Sequence, residues 1–279
     1  MFNTDKIDST NVVLANGVKM PILGLGVFKS KEGEEVKNAV QMALNAGYRH
    51  IDTASIYGNE VGVGEAIRNS LVTREEIFIT TKLWNSDQGY DSALKAFETS
   101  LHKLNTEYID LYLIHWAVKD KFNESWRALE KLLDEKMVKA IGVSNFMIPH
   151  LEQLKLTARV TPMVNQIEYH PYLQSATLVQ YCVEHNIAIT AWSPIMRGKV
   201  DQVPLLVQLG EKYGKTPAQI ALRWNVQNGI ITIPKSVRKE RIEGNAQIFD
   251  FELTKIEMSQ INALDKDVRI GPDPLNFNF

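Results

Sequence analysis

Four ionisable side chains of different types stand where apolar runs give way to loops. Asp52 ends His50-Ile51-Asp52, Tyr57 follows five positions on, Lys82 ends Ile77-Phe78-Ile79-Thr80-Thr81-Lys82, and His115 ends Ile109–Ile114. Each alone has a plain explanation: a helix cap, a surface plug, a solvated ammonium, a core imidazole. Their placement on three consecutive run ends argues for a shared site. A phenol with a pKa of ~10 is a poor acid at neutral pH. A nearby ammonium lowers that value by Coulomb attraction, and a carboxylate keeps the ammonium charged and oriented in a semi-buried cleft. With an imidazole bonded to a substrate carbonyl, the group could protonate an oxygen that gains charge as a nucleophile adds to its carbon. No Ser-His-Asp arrangement supplies that nucleophile. Asp52, His115 and Glu168 could be imagined as metal ligands, but no metal-binding spacing accompanies them, so no metal is assigned. A rival use makes Lys82 a Schiff-base lysine, as in a barrel aldolase.

These residues need a scaffold that delivers strand ends to one place. Continuous apolar runs predict strands at 22–25, 49–52, 77–81, 109–114, 138–143, 163–166, 187–191 and 230–233, the pattern of strands buried on both faces. Between them lie helical faces such as Val36-Val40-Ala43-Leu44, Leu94-Phe97-Leu101-Leu104 and Trp126-Leu129-Leu133. Thr216-Pro217-Ala218-Gln219 and Thr254-Lys255-Ile256-Glu257 read as capping boxes. At the start, residues 12–14 and 18–20 flank Asn16-Gly17, a hairpin signal. An open doubly wound sheet binding a dinucleotide would need a glycine fingerprint. Gly24-Leu25-Gly26 lacks the third glycine, and Gly62-Val63-Gly64 falls within a helix-like stretch. The polar run ends Asp52, Lys82, His115, Ser144, Gln166 and Ser193 recur every 22 to 33 residues, as successive βα units would place them. The expected fold is therefore α/β, a (β/α)8 TIM barrel with an N-terminal β-hairpin and a short C-terminal tail, its site on the C-terminal face. Residues 1–279 read as a single domain.

Composition narrows the classes further. The chain of 279 residues is 44% hydrophobic and 23% charged with a net charge of −2, ordinary globular values without a basic block for nucleic acid or anionic membrane. Cys182 is the only cysteine, so no internal disulfide forms, and it reads as a small buried helical residue. Met1–Asp8 has no signal-peptide core and no stretch reaches membrane-span length. A cytoplasmic location and a monomer are the expectations.

Several segments carry a resemblance that spans nearly the whole chain: Leu23-Gly24-Leu25-Gly26, Gly47–Ala54 with Tyr57-Gly58-Asn59-Glu60, Thr80–Trp84, Asp110–Trp116, Ile141–Phe146, Asn165–Pro171 and Ile233-Pro234-Lys235-Ser236. The sequence resembles the aldo-keto reductases, in particular the bacterial branch that includes glyoxal or methylglyoxal reductases and 2,5-diketo-D-gluconate reductases. That resemblance implies NADPH bound without a Rossmann fold. It also implies a tetrad of Asp52, Tyr57, Lys82 and His115, with Tyr57 as general acid and hydride arriving from the nicotinamide. By the same resemblance Ser144, Asn145 and Gln166 would bond the carboxamide and Trp192 would stack on the ring, with Ser193 among the cofactor contacts. Lys235, Ser236 and Arg241 resemble a 2′-phosphate clamp, and Asn245 would face the adenine. The residues themselves support a clamp, since Lys235, Arg238, Lys239 and Arg241 gather at the start of a helix whose N-terminus attracts anions. Val27, Ala117 and Gly244 depart from many relatives, which bears on the grip on the cofactor.

Phe28, Trp84 and Trp116 fall on the same rim and would line an apolar substrate pocket. Two segments that enclose larger substrates in relatives are short here, Ala117–Phe122 and the ten residues after Arg269. The expectation is an open site for small aldehydes, α-dicarbonyls or keto-sugars. A non-enzymatic alternative is a cofactor-binding redox sensor or regulatory subunit on the same fold.

Overall fold

The structure, a computed structural model, describes residues 7–8 and 10–277. Met1–Lys6, read above for a signal-peptide core, lies outside the described residues. Three short antiparallel strands come first: β1 (Ile7–Asp8), β2 (Asn11–Val13) and β3 (Lys19–Pro21). The hairpin is present, with an additional strand pairing its outer edge. Its turn differs from the tight Asn-Gly form. Only Gly17 adopts positive φ, at 86°, while Leu14 donates to the Val18 carbonyl and accepts from the Gly17 amide. The loop is thus longer, and glycine alone takes the left-handed conformation.

Eight parallel strands follow in sequential order around one sheet: β4 (Leu25–Gly26), β5 (His50–Asp52), β6 (Phe78–Leu83), β7 (Ile109–Ile114), β8 (Val138–Ser144), β9 (Val164–Glu168), β10 (Ala188–Trp192) and β11 (Ile231–Thr232). Leu23 bridges Thr232 and Gly26 bridges Lys235, so the last strand returns to the first and closes the barrel. All eight expected strands are found; 109–114 keeps its expected bounds, and the others shift by up to three residues at one or both ends. The shift matters at β6, where Lys82 lies inside the strand rather than after it. Strands β6 and β7 are buried at every position, polar Thr80, Thr81, Lys82 and Asp110 included, as parallel strands covered on both faces are.

The helices form the outer layer: α1 (Glu34–Asn45), α2 (Glu60–Arg68), α3 (Tyr90–Leu104), α4 (Phe122–Asp134), α5 (Ile148–Lys155), α6 (Ala176–Glu184), α7 (Pro204–Tyr213), α8 (Pro217–Gln227), α9 (Lys239–Ala246) and α10 (Lys255–Asn262). Val36, Val40, Ala43 and Leu44 are buried on α1, and Phe97 and Leu104 on α3. Both capping boxes form: Thr216 accepts from the Gln219 amide at 3.2 Å and Thr254 from that of Glu257 at 3.3 Å. Helix α7 has no counterpart among the expected elements, although Pro204 at its start and Gly214 in left-handed conformation at its end mark both boundaries. Cys182 is buried on α6, and burial pushes its thiol up to about 12. Among the described residues, no helix is long and apolar enough to cross a membrane.

Candidate active site

At the C-terminal ends of β5, β6, β7 and β9 the barrel collects a connected polar group. Lys82 is fully buried and Asp52 is 2% exposed. The Lys82 ammonium donates to Asp52 Oδ1 at 2.6 Å and to the Thr53 carbonyl at 2.7 Å. Gln166 Nε2 donates to the other Asp52 oxygen at 2.7 Å. Each charge of this buried pair is thus supplied with further partners, the condition under which such a pair is tolerated.

Tyr57 sits in a single 3₁₀ turn, Ser55–Tyr57, between β5 and α2. Two side chains hold that loop: Ser55 donates to the Lys82 carbonyl at 3.0 Å, and Asn59 donates to the carbonyls of Val27 and Ser30. The half-buried phenol ring centre comes within 5.1 Å of Lys82 Nζ, 5.8 Å of the His115 ring and 5.0 Å of Phe28. The four residues singled out for chemistry are therefore neighbours.

Their electrostatics differ in one respect from the sequence-based expectation. Burial pushes the Tyr57 phenol above its ordinary value, and the Lys82 ammonium opposes this without reversing it. Tyr57 is consequently protonated at neutral pH. Burial alone would lower Lys82, but Asp52 and Tyr57 outweigh it and hold the amine above its usual value. A lysine kept charged in this way is a poor amine nucleophile, which removes the physical basis for the Schiff-base reading. Burial, helped by Lys82, drives His115 well below its usual range, so its imidazole is neutral. Its Nδ1 has no partner. The proton is then best placed on Nε2, where the ring has a donor for an incoming oxygen.

The other candidates occupy the same end of the barrel. Ser144 donates to the Gln166 carbonyl at 2.9 Å. Asn145 donates to the His115 carbonyl at 3.0 Å and to Ser144 Oγ at 3.1 Å, and its Oδ1 accepts from the Trp192 indole at 2.9 Å. Both amide ends of Asn145 are thus engaged by protein, leaving a second lone pair on Oδ1 for a ligand. Gln166 has Nε2 committed to Asp52 and Oε1 available. Half-buried Trp192 ends β10, followed by Ser193 at φ 53°. Beyond β11, Ser236 accepts from the Arg238 amide at 3.1 Å, and α9 begins at Lys239. Lys235, Arg238 and Arg241 are exposed and have no acidic partner among the described residues, a donor set suited to a phosphate. Asn245 is buried on α9.

Phe28 is 48% exposed beside Tyr57, Trp84 lies edge-on to His115 at 5.1 Å, and Trp116 stacks near it at 6.5 Å. The three aromatic residues expected on the rim do surround Tyr57 and His115. The tail does not leave this side of the site bare, contrary to the expectation of an open site: Phe277 packs on Trp116 at 4.7 Å. Sequence reading also misses the Gln166–Asp52 bond and the use of Glu168, which accepts from the amides of Ile270 and Gly271. No local pattern announces either contact, since each joins residues more than a hundred positions apart.

Comparison with known proteins agrees with this geometry. The aldo/keto reductase family profile matches residues 22–266. The chain is 55% identical over 269 residues to a 9,11-endoperoxide prostaglandin H2 reductase of Trypanosoma cruzi, covering 95% of each sequence. It is 53% identical over 263 residues to the glyoxal reductase of Bacillus subtilis, covering 94% of this chain and 95% of that one. The crystal structure of a Gox0644 mutant in complex with NADPH superposes with a TM-score of 0.93 at 41% identity, covering 98% of this chain and all of that one.

Proposed function

This chain belongs to the aldo/keto reductase family, and from that premise we propose that it reduces small aldehydes, α-dicarbonyls such as glyoxal and methylglyoxal, or keto-sugars to alcohols. It is an NADP-dependent oxidoreductase. When bound, NADPH supplies the hydride that the protein's own side chains lack. Ser144, Asn145, Gln166, Trp192 and Ser193 would hold the nicotinamide end, and Lys235, Ser236, Arg241 and Asn245 the adenosine end with its 2′-phosphate.

The observation that carries this reading is the packing of a protonated phenol, a locked ammonium and a neutral imidazole at one barrel mouth. His115 Nε2–H orients the carbonyl oxygen. Tyr57 gives its proton to that oxygen as negative charge develops there. An alkoxide is a far stronger base than a phenolate, so the transfer runs downhill even from a phenol raised by burial. Lys82 stabilises the phenolate left behind, and Asp52 with the Thr53 carbonyl keeps Lys82 in place. The role of the lysine is thus to receive the reaction's charge rather than to ionise the phenol beforehand. Phe28, Trp84 and Trp116 supply an apolar wall that excludes water around a small carbonyl.

Steady-state NADPH oxidation with methylglyoxal and a panel of aldehydes tests the activity, and no turnover on any of them rejects it. Tyr57→Phe should lower kcat/KM by about 10²–10⁴-fold, the range of a lost general acid, while NADPH still binds. Retained turnover would remove Tyr57 from the proton's path. A redox-sensing subunit would bind NADPH but show no turnover in either form.

A further inference from the structure

Glu168 ends β9 at the barrel mouth, yet its side chain is fully buried. Its carboxylate accepts from three donors: His170 Nε2 at 3.0 Å, the Ile270 amide at 2.6 Å and the Gly271 amide at 3.1 Å. Those bonds outweigh burial and hold the acid below the usual carboxylate range. Two of the donors belong to the C-terminal tail. Gly271 lies so close to Trp192 that a Cβ there would come within 2.4 Å of the indole. Its φ lies outside the left-handed region, so glycine is required by contact alone. Trp192 in turn donates to Asn145, and Asn145 to the His115 carbonyl. Six residues beyond Gly271, Phe277 rests on Trp116, the neighbour of His115.

We propose that Glu168, oriented by His170, is a positioning residue that moors the C-terminal tail across the site and so fixes Trp192 and the aromatic rim around the substrate. The tail reaches this rim at both ends, through Gly271 on Trp192 and through Phe277 on Trp116. Upstream the chain is docked independently of Glu168: the Tyr172 carbonyl accepts from the amides of Lys266 and Val268, and Gln174 donates to Asp265. Loss of the mooring therefore frees residues from 270 onward and leaves the barrel intact. The kinetic part of this inference rests on the reductase reading above, whereas the mooring itself does not.

Two variants test it. Glu168→Gln replaces an acceptor oxygen by a second donor facing the tail amides. Gly271→Ala keeps Glu168 and drives a methyl against Trp192, so it serves should the first variant fail to fold. Hydrogen exchange of the tail and NADPH-linked reduction of methylglyoxal are measured for both and for the parent chain. Exchange at Ile270 and Gly271 should quicken at least about tenfold. KM for methylglyoxal should rise about tenfold as the loosened tail ceases to hold the aromatic rim, with kcat within about threefold. Unchanged tail exchange in a folded variant overturns the mooring. Faster exchange with KM intact overturns its role in positioning the rim. A parent chain that turns over no carbonyl defeats the reductase reading instead, and tail exchange then decides the mooring by itself.

Discussion

Lys82→Met removes the ammonium at the centre of the candidate site while keeping much of the side chain's volume. Asp52 would then retain a single donor, Gln166 Nε2 at 2.7 Å, in a position only 2% exposed. Removing one partner of a buried ion pair destabilises by about 3–5 kcal/mol, because the survivor is left desolvated and uncompensated. Neutralising that survivor should restore part of the loss. The double variant Lys82→Met/Asp52→Asn is therefore expected to be more stable than the sum of the two single variants predicts, with a coupling of about 1–3 kcal/mol. Urea denaturation at neutral pH, followed by tryptophan fluorescence, reads both quantities as midpoint shifts at constant slope. Turnover should stay lost in the double variant, since no cation is left to receive the charge of the phenolate. A loss of less than about 1 kcal/mol for Lys82→Met would be the magnitude of a solvent-exposed pair and would refute the sealed arrangement. Recovered turnover alongside recovered stability would refute the electrostatic role.

Three further outcomes follow from the same groups. Because Tyr57 is raised and His115 lowered, kcat/KM for carbonyl reduction should be level from about pH 6 to about pH 9; a limb near the ordinary histidine value would show that His115 is not held neutral. Burial lowers His50 from 6.5 to about 4. The unfolded chain binds that proton first as pH falls, so stability is lost through the window from 6.5 to 4, by about 3 kcal/mol at its foot. His50→Asn should flatten this slope in urea titrations, and an unaltered slope would assign the acid sensitivity elsewhere. Arg241→Ala should weaken NADPH binding about tenfold or more while leaving NADH within about twofold, measured by fluorescence titration at fixed salt; equal effects on both cofactors would place Arg241 away from the 2′-phosphate.

Much of this molecule is legible in one dimension because parallel strands buried on both faces write themselves as apolar runs. The run Ile109–Ile114 is found with its expected bounds, and each polar residue that terminates a run lies at the same mouth. The capping boxes at Thr216 and Thr254 are equally local and equally readable. What escapes is non-local. The Gln166–Asp52 and Glu168–Gly271 bonds depend on barrel closure, which brings distant strand ends together. The direction of the Tyr57 shift escapes for a related reason, since a charge partner can be guessed from spacing but the depth of burial cannot. Helix α7 is a different case: its Pro204 and Gly214 boundary signals are present, but its apolar face is too short to stand out.

Cys182 gains a wider significance from the proposed substrates. Electrophilic dicarbonyls and aldehydes modify thiols through the ionised form, and this sulfhydryl is both sealed inside α6 and kept protonated. A catalyst that detoxified such compounds would work among molecules able to poison cysteine enzymes. This chain has a single sulfhydryl, shielded from them, so it should not lose activity through thiol adducts with the proposed substrates.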